Sequence, residues 1–365
     1  MNTKLNSNVS IVPRKDDILE FFKCNTRSSV TIKTDVDKIL KIVSDLDGSI
    51  SVGDLSRKYN VSEKSLNALL SFLEYKGILD HVEPKCDFVS YNKFRRVIHF
   101  LNDFSHNHDH LLQYWEKLNS ATVMIIGLGA VGTWVATNLV QSGIMNLILV
   151  DPDVVEVSNL HRQYGYTFKD IGKYKVNVLA SKLEKMNPDI VVWKEVDYLS
   201  GGVLKKFDNQ KIDLVINCAD KPNVDTTSIW VGEYCMERNI SHIIGGGYNM
   251  HLSLIAQTVI PGKSACVKCF EKQLDEINGV DVSRVKKLMI KNRKLGSIGP
   301  MCSLIASMIG MEAIKILTGC CLPANMNRRG EFNIVDMRIK YQEFKKLEDC
   351  EWCGAEGLFH ETLKE

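Results

Sequence analysis

A glycine turn with an acidic residue behind it and two close pairs of cysteines are the parts of this sequence best suited to chemistry. Gly127-Leu-Gly129-Ala-Val-Gly132 follows the apolar run Val123–Ile126 and opens a helix that runs through Ser142. The amides of such a turn, with the helix N-terminus behind them, hold phosphate oxygens, and the missing side chains permit close approach. Asp151 falls 19 residues after Gly132, at the end of a second apolar run, Leu147–Val150. A carboxylate there accepts hydrogen bonds from ribose hydroxyls. Taken alone the fingerprint fits a dinucleotide, and a tight packing turn is the plainer use of the same glycines.

The residues after Asp151 supply more positive charge than a dinucleotide needs. Asp151-Pro-Asp153-Val-Val-Glu-Val-Ser-Asn159-Leu-His-Arg162-Gln163 puts Asn159, Arg162 and Gln163 close behind the ribose acid, and Lys175 comes 13 residues after Arg162. A triphosphate requires such cations, and a carboxylate to hold Mg²⁺. Asp220, just past the run Leu214–Ala219, is placed for that metal, because open parallel sheets bind ligands at the carboxyl ends of their strands.

Cys266-Val-Lys-Cys269 and Cys350-Glu-Trp-Cys353 each offer two corners of a tetrahedron, which suits a structural Zn²⁺. The 80 residues between the pairs would make that metal a clamp tying the end of the chain to its body. A redox CxxC is the alternative. No cysteine lies between Phe270 and Pro300. Cys302, Cys218 and Cys235 read as core residues, so no thioester-forming cysteine is expected.

The elements that must position these groups divide the chain into three stretches. Residues 1–85 give a strand (Ser29–Ile32), a helix (Asp35–Ser44), two further helices with Ser62 as an N-cap, and a closing strand from Gly77, which together make a winged-helix pattern. Residues 86–119 form a polar connector with one helix and the pair Arg95-Arg96. From 120 to 365, buried-type strands (Val123–Ile126, Leu147–Val150, Ile190–Val192, Leu214–Asn217, His242–Gly245) alternate with helices. That is an α/β class, a Rossmann-like mostly parallel sheet with helices on both faces. With 46 Lys+Arg against 44 Asp+Glu, 45% apolar and 25% charged residues over 365 positions, the composition excludes disorder and any polyanion-coating role. No run approaches 18 uncharged apolar residues and the start of the chain is polar, so neither a membrane span nor a secretory signal is expected. The 11 cysteines, an odd number without an export signal, favour metal over disulfides. The expectation is a soluble cytoplasmic protein with neither nucleic acid nor membrane as partner.

The motif Asp151-x-Asp153-x5-Asn159-Leu160-x-Arg162-Gln163 resembles that of the ubiquitin-activating-enzyme-like adenylyltransferases, the superfamily of ThiF, MoeB and HesA. The resemblance covers about residues 90–355. It implies that ATP and Mg²⁺ activate a carboxylate as an acyl-adenylate, with Gly127, Gly129 and Gly132 lining the nucleotide and Asp151 on its ribose. It further implies Asn159, Arg162 and Lys175 at the phosphates, Asp220 on Mg²⁺, and the four cysteines on Zn²⁺. The superfamily also brings an arginine from a partner subunit, so a homodimer is implied. Lys93-Phe-Arg-Arg96 is similar to that segment, making Arg96 the candidate, with Arg95 able to take its place.

The first 85 residues resemble the peptide-recognition element of enzymes that modify ribosomally made peptides, where a precursor peptide adds a strand to the small sheet. A DNA-binding winged helix is the competing reading. It is poorly supported, because the helix from Ser62 to Tyr75 carries Glu63 and Glu74 beside Lys64. The combination looks like the branch of the superfamily that makes the microcin C and pantocin A peptide antibiotics, whose members attach a nucleotide or let the activated peptide cyclise. Gly245–Asn249 is a candidate acceptor pocket or simply a tight strand end, and the basic stretch 284–294 is a loop over the substrate or a solvated helix. A sulfur-carrier activator of the ThiF or MoeB type is the alternative within the same chemistry. A regulator with an inactive nucleotide fold and an NAD oxidoreductase are alternatives outside it.

Overall fold

The computed structural model describes residues 3–81, 88–105, 108–249, 252–279 and 296–364, and the chain divides into two compact units, residues 1–116 and 117–365. The basic stretch 284–294 lies outside the described residues.

The first unit opens with β1 (Thr3–Leu5), then a meander of β2 (Val9–Arg14), β3 (Ile18–Lys23) and β4 (Ser28–Lys33). These three pair antiparallel in the order β2-β3-β4, which leaves β4 with an open edge among the described residues. Helices α1 (Val36–Ser44), α2 (Val52–Tyr59) and α3 (Glu63–Tyr75) follow. Each starts on a side-chain cap: Asp35, Ser51 and Ser62 accept from the backbone N–H three residues on, supplying a partner that the first helical turn lacks. β5 (Leu79–His81) returns to pair with β1. Leu19, Phe21, Ile42, Leu55, Leu66, Leu73 and Ile78 form the buried centre, and burying each contributes about 1.5–3 kcal/mol. The connector holds two helices rather than one, α4 (Phe88–Asn102) and α5 (His108–Ser120). α4 kinks at Phe94, whose buried ring meets that of Trp115 on α5 at 5.3 Å, so the pair is joined by an apolar contact that the polar surroundings hide in the sequence.

The second unit is built on β6 (Thr122–Ile126), β7 (Asn146–Val150), β8 (Val191–Glu195), β9 (Leu214–Asn217) and β10 (Ser241–Ile244), all parallel. Between them run α6 (Gly132–Gln141), α7 (Lys175–Met186), α8 (Gly201–Lys205) and α9 (Val224–Glu237). β11 (Tyr248–Asn249) and β12 (Leu252–Leu254) precede β13 (Gln257–Val259), which adds antiparallel to β10, giving the order β13-β10-β9-β6-β7-β8. The central strands are apolar but for a polar residue at one end of each (Thr122, Asn146, Asn217), the pattern of a parallel sheet covered by helices. After α10 (Val267–Asn278) and α11 (Gly299–Thr318), β14 (Arg328–Asn333) and β15 (Arg338–Glu343) join β11 and β12 in a four-stranded antiparallel sheet. α11 is the one helix among the described residues long and apolar enough to cross a membrane. It packs against α6, and its buried Glu312 accepts hydrogen bonds from Thr258, Lys315 and the amides of Ala324 and Asn325.

Candidate active site

The site assembles at the carboxyl ends of β6, β7 and β9. At Gly127 the chain turns with φ +88° and its N–H bonds Val150 O. A Cβ on Gly127 would meet the backbone of Cys218 and Ala219 at 2.7 Å, and one on Gly132 would stand 1.9 Å from Gly127 O. These two glycines are therefore required by the turn itself. Gly129 differs: nothing lies within 4 Å of where its Cβ would point, so this part of the loop is open.

Asp151 anchors the loop. Its Oδ2 accepts from the Leu128 N–H at 2.6 Å and its Oδ1 from the Asp153 N–H at 2.8 Å. Burial pushes its pKa up, against the pull of Lys175 and the two amides. Each oxygen keeps a further lone pair for a ligand hydroxyl. Tyr166 holds Leu128 as well, its hydroxyl donating to Leu128 O at 3.2 Å. Its pKa is driven up, first by burial and then by the nearby carboxylates, so it stays a neutral donor.

Asp153 gathers the cations. Lys175, buried at the start of α7, reaches Asp153 Oδ2 at 3.0 Å, and Lys221 reaches Oδ1 at 3.1 Å. Burial would raise the pKa of Asp153, and the two lysines more than offset it, so the net direction is down. Asp220, beside Lys221, is exposed on the loop after β9.

Arg162 lies on the segment that follows the first 3₁₀ turn after β7, where its Nη1 donates to Ser158 O. Its Nε is buried without a hydrogen-bond partner among the described residues, as is Gln163 Oε1. An orphaned guanidinium donor suits an anionic oxygen. The side-chain oxygen of buried Asn159 is committed to the Glu156 N–H at 3.0 Å, so Asn159 shapes this segment. The spacing thus brings Gly127, Gly129, Gly132, Asp151, Asp153, Lys175 and Asp220 to the carboxyl ends of β6, β7 and β9, with Asn159, Arg162 and Gln163 on the segment leading from β7. Arg95 and Arg96 lie exposed on α4, in the first unit. Lys221 and Tyr166 were not singled out from the sequence. Lys221 sits directly after Asp220 and was findable as one more cation, whereas nothing in the spacing marks Tyr166.

Cys302 is buried in the first turns of α11, 3.3 Å from Ser297 Oγ. Burial raises its pKa against the influence of Ser297 and Arg162, which leaves a neutral thiol. Gly245 and Gly246 are demanded by packing, since Cβ atoms there would stand 2.2 Å from Asn217 O and 2.0 Å from Leu254 O.

The four paired cysteines converge away from this loop cluster. Cys266 Sγ lies 3.8 Å from Cys269 and 3.5 Å from Cys350, Cys269 lies 3.4 Å from Cys353, and all four sulfurs fall within 4.8 Å of one another. Zn–S bonds of about 2.3 Å in a tetrahedron put sulfurs about 3.8 Å apart, so the donor set fits zinc. Trp352, Phe270, Phe344 and Phe359 pack around it, and Gln273 bonds the backbone of Lys345 in both directions.

The profile of the ThiF family matches residues 100–354. The chain belongs to the ThiF family. Adenylyl transfer in this family implies ATP with Mg²⁺, and this chain is an ATP-dependent adenylyltransferase. It is 29% identical over 245 residues to the sulfur carrier protein ThiS adenylyltransferase of Escherichia coli, covering 66% of this chain and 88% of that one. It is 28% identical over 242 residues to the molybdopterin-synthase adenylyltransferase of the same organism, covering 66% and 89%. Among solved structures it shares the fold of E. coli MccB, with a TM-score of 0.77 at 23% identity over 98% of each chain. PaaA gives a TM-score of 0.73 at 20% identity, covering 93% of this chain and 99% of that one. MccB, a microcin C7 biosynthetic enzyme, has been crystallised with ATP and with N-formylated MccA.

Proposed function

We propose that this ThiF-family adenylyltransferase acts on a ribosomally made precursor peptide, gripping it through the first unit and activating one of its carboxyl or amide groups as an AMP adduct. The observation that carries the reading is the first unit itself. The family match begins at residue 100, while the likeness to MccB runs through 98% of the chain. An activator of a sulfur-carrier protein has no evident use for the 99 residues before that match. Within the unit, β4 keeps an open edge among the described residues, and a cavity of about 480 Å³ is lined by the ends of β2 (Val9), β3 (Lys23) and β4 (Ser28, Val30) and by the end of α3 (Tyr75, Lys76). An unpaired strand edge offers backbone amides and carbonyls to an extended peptide, and adjacent pockets fix its register.

In the chemistry, an oxygen of the substrate carboxylate attacks the α-phosphorus, a C–O–P linkage forms, and the α–β anhydride breaks to release pyrophosphate. The loop amides and Gly129 receive the nucleotide, and Arg162 and Lys175 offset phosphate charge. Mg²⁺ on Asp220 would neutralise the departing pyrophosphate. We further propose that the enzyme works as a cytoplasmic homodimer in which Arg96, or Arg95, completes the partner's site, and that zinc on the four cysteines is structural. The adduct persists as a nucleotide-bearing peptide, or a neighbouring nitrogen or carbon attacks the activated carbon, breaks its bond to the phosphate oxygen and expels AMP.

The test is to incubate the purified protein with ATP, Mg²⁺ and the product of a short reading frame beside its gene, and to weigh the peptide. Gain of AMP or loss of water supports the reading. An unchanged peptide, with adenylation of an E. coli ThiS-type carrier instead, moves the protein to sulfur-carrier activation. Retention of labelled duplex DNA on a filter would point to the regulator.

A further inference from the structure

Asp153 and Lys221 leave the sheet on the loops after β7 and β9, the two strands that flank β6. Their ion pair therefore spans the carboxyl end of the strand that carries the glycine turn. We propose that Lys221 is a phosphate-contacting residue of the adenylation site, held on Asp153 until a triphosphate takes it. The proposal rests on the ATP reading of this site.

Asp153 does not need Lys221. Lys175 already meets it at 3.0 Å with a side chain only 6% exposed, and the Lys175 N–H bonds Asp153 O. With Lys175 already paired to the Asp153 carboxylate, Lys221 can exchange that partner for another anion without leaving Asp153 unpaired. The Lys221 side chain is 59% exposed, and such ion pairs are weak and screened. A triphosphate, with several negative charges and many acceptor oxygens, outcompetes one carboxylate for it. Lys221 also adjoins Asp220, so a cation on this side chain and a metal on that carboxylate would act on the same phosphates. Once Lys221 has moved, Asp153 keeps Lys175, and the loop after β9 is drawn to the nucleotide instead of to β7.

Lys221→Gln and Lys221→Arg test this, titrated by calorimetry with Mg·ATP, with inorganic tripolyphosphate plus Mg²⁺, and with AMP. Losing one hydrogen bond between a lysine and a charged phosphate costs on the order of tenfold in affinity. Lys221→Gln should therefore lose about tenfold or more in affinity for ATP and tripolyphosphate, keep its affinity for AMP and melt like the wild type, while Lys221→Arg recovers most of the loss. Wild-type affinity for tripolyphosphate in Lys221→Gln overturns the proposal and leaves the ATP site standing. A wild-type protein that takes up no Mg·ATP overturns the ATP reading and this proposal with it.

Discussion

Two glycines three residues apart in the same turn should respond to the same substitution with opposite signs. In Gly132→Ala the new methyl stands 1.9 Å from Gly127 O, about 1 Å inside the 3.0 Å that real Cβ contacts respect. The obstacle is backbone, and it belongs to a residue whose own φ of +88° is fixed by a bond to Val150. Either the first turn of α6 or the loop must shift, at the upper end of the roughly 1–3 kcal/mol that overpacking costs. For a unit of this size that lowers the melting temperature by roughly 5–10 °C. In Gly129→Ala the methyl meets nothing within 4 Å, and Gly129 is not among the positive-φ residues. Restricting the unfolded chain then stabilises the protein by about 0.4–1 kcal/mol. The same methyl stands in the space where a phosphate oxygen must come to about 2.9 Å from a loop amide. Gly129→Ala should thus melt at or slightly above the wild-type temperature and bind ATP about tenfold or more weakly, a difference of about 1.4 kcal/mol. Scanning calorimetry and ATP titration on the two variants read both quantities. Undiminished ATP binding by Gly129→Ala would refute the assignment of the open loop to phosphate. Wild-type stability of Gly132→Ala would refute the packing argument.

Asp220→Ala should leave the melting temperature unchanged, because the residue is exposed, and should abolish ATP-dependent pyrophosphate release; near-normal release shows that the metal is held elsewhere. Elemental analysis should find one zinc per chain, and Cys350→Ser should lose it along with much of the stability of the second unit, the binding energy of such sites being roughly 10–16 kcal/mol in small models; zinc-free wild-type protein with normal stability contradicts the clamp. His242, wholly buried in β10, has its pKa pushed down to about 4, first by burial and in spite of Ile240 O beside Nδ1. The folded state therefore refuses a proton that the unfolded chain takes near pH 6.5, so the stability this side chain contributes is full above about pH 6.5 and is lost as the pH falls toward 4, by at most about 1.4 kcal/mol per unit. Denaturant midpoints across that window should fall less in His242→Leu than in the wild type, and equal slopes would dismiss His242 as the titrating group.

The fold of the second unit was legible because its central strands are buried on both faces and so read as apolar runs: β6, β7 and β9 lie where Val123, Leu147 and Leu214 begin theirs. The first unit hid its opening strands. β2 and β3 form a hairpin whose turn places Asp16 and Asp17 at φ 63° and 59°. Two positive φ angles usually call for Asn-Gly, and two aspartates give no such signal. The next turn is equally mute, with Arg27 at φ 53°. β1 is three residues long and pairs with β5 at the far end of the unit, a contact that local pattern cannot register.

At the site, residue type and spacing named the groups but not how they divide the work. Asp151 and Asp153 look alike in sequence, two carboxylates around a proline. The Asp151 side chain accepts the Asp153 N–H, an Asx turn that bends the chain at the end of β7. With one oxygen spent on that turn and the other on Leu128, Asp151 is committed to backbone amides and is buried. The same bend places Asp153 against Lys175 and Lys221, which approach from α7 and from the loop after β9. One carboxylate thereby becomes the anchor of the glycine turn and the other the holder of two lysines. The division follows from which of them is denied water, since a buried carboxylate must be satisfied by fixed donors whereas a half-exposed one can exchange its partners for a ligand.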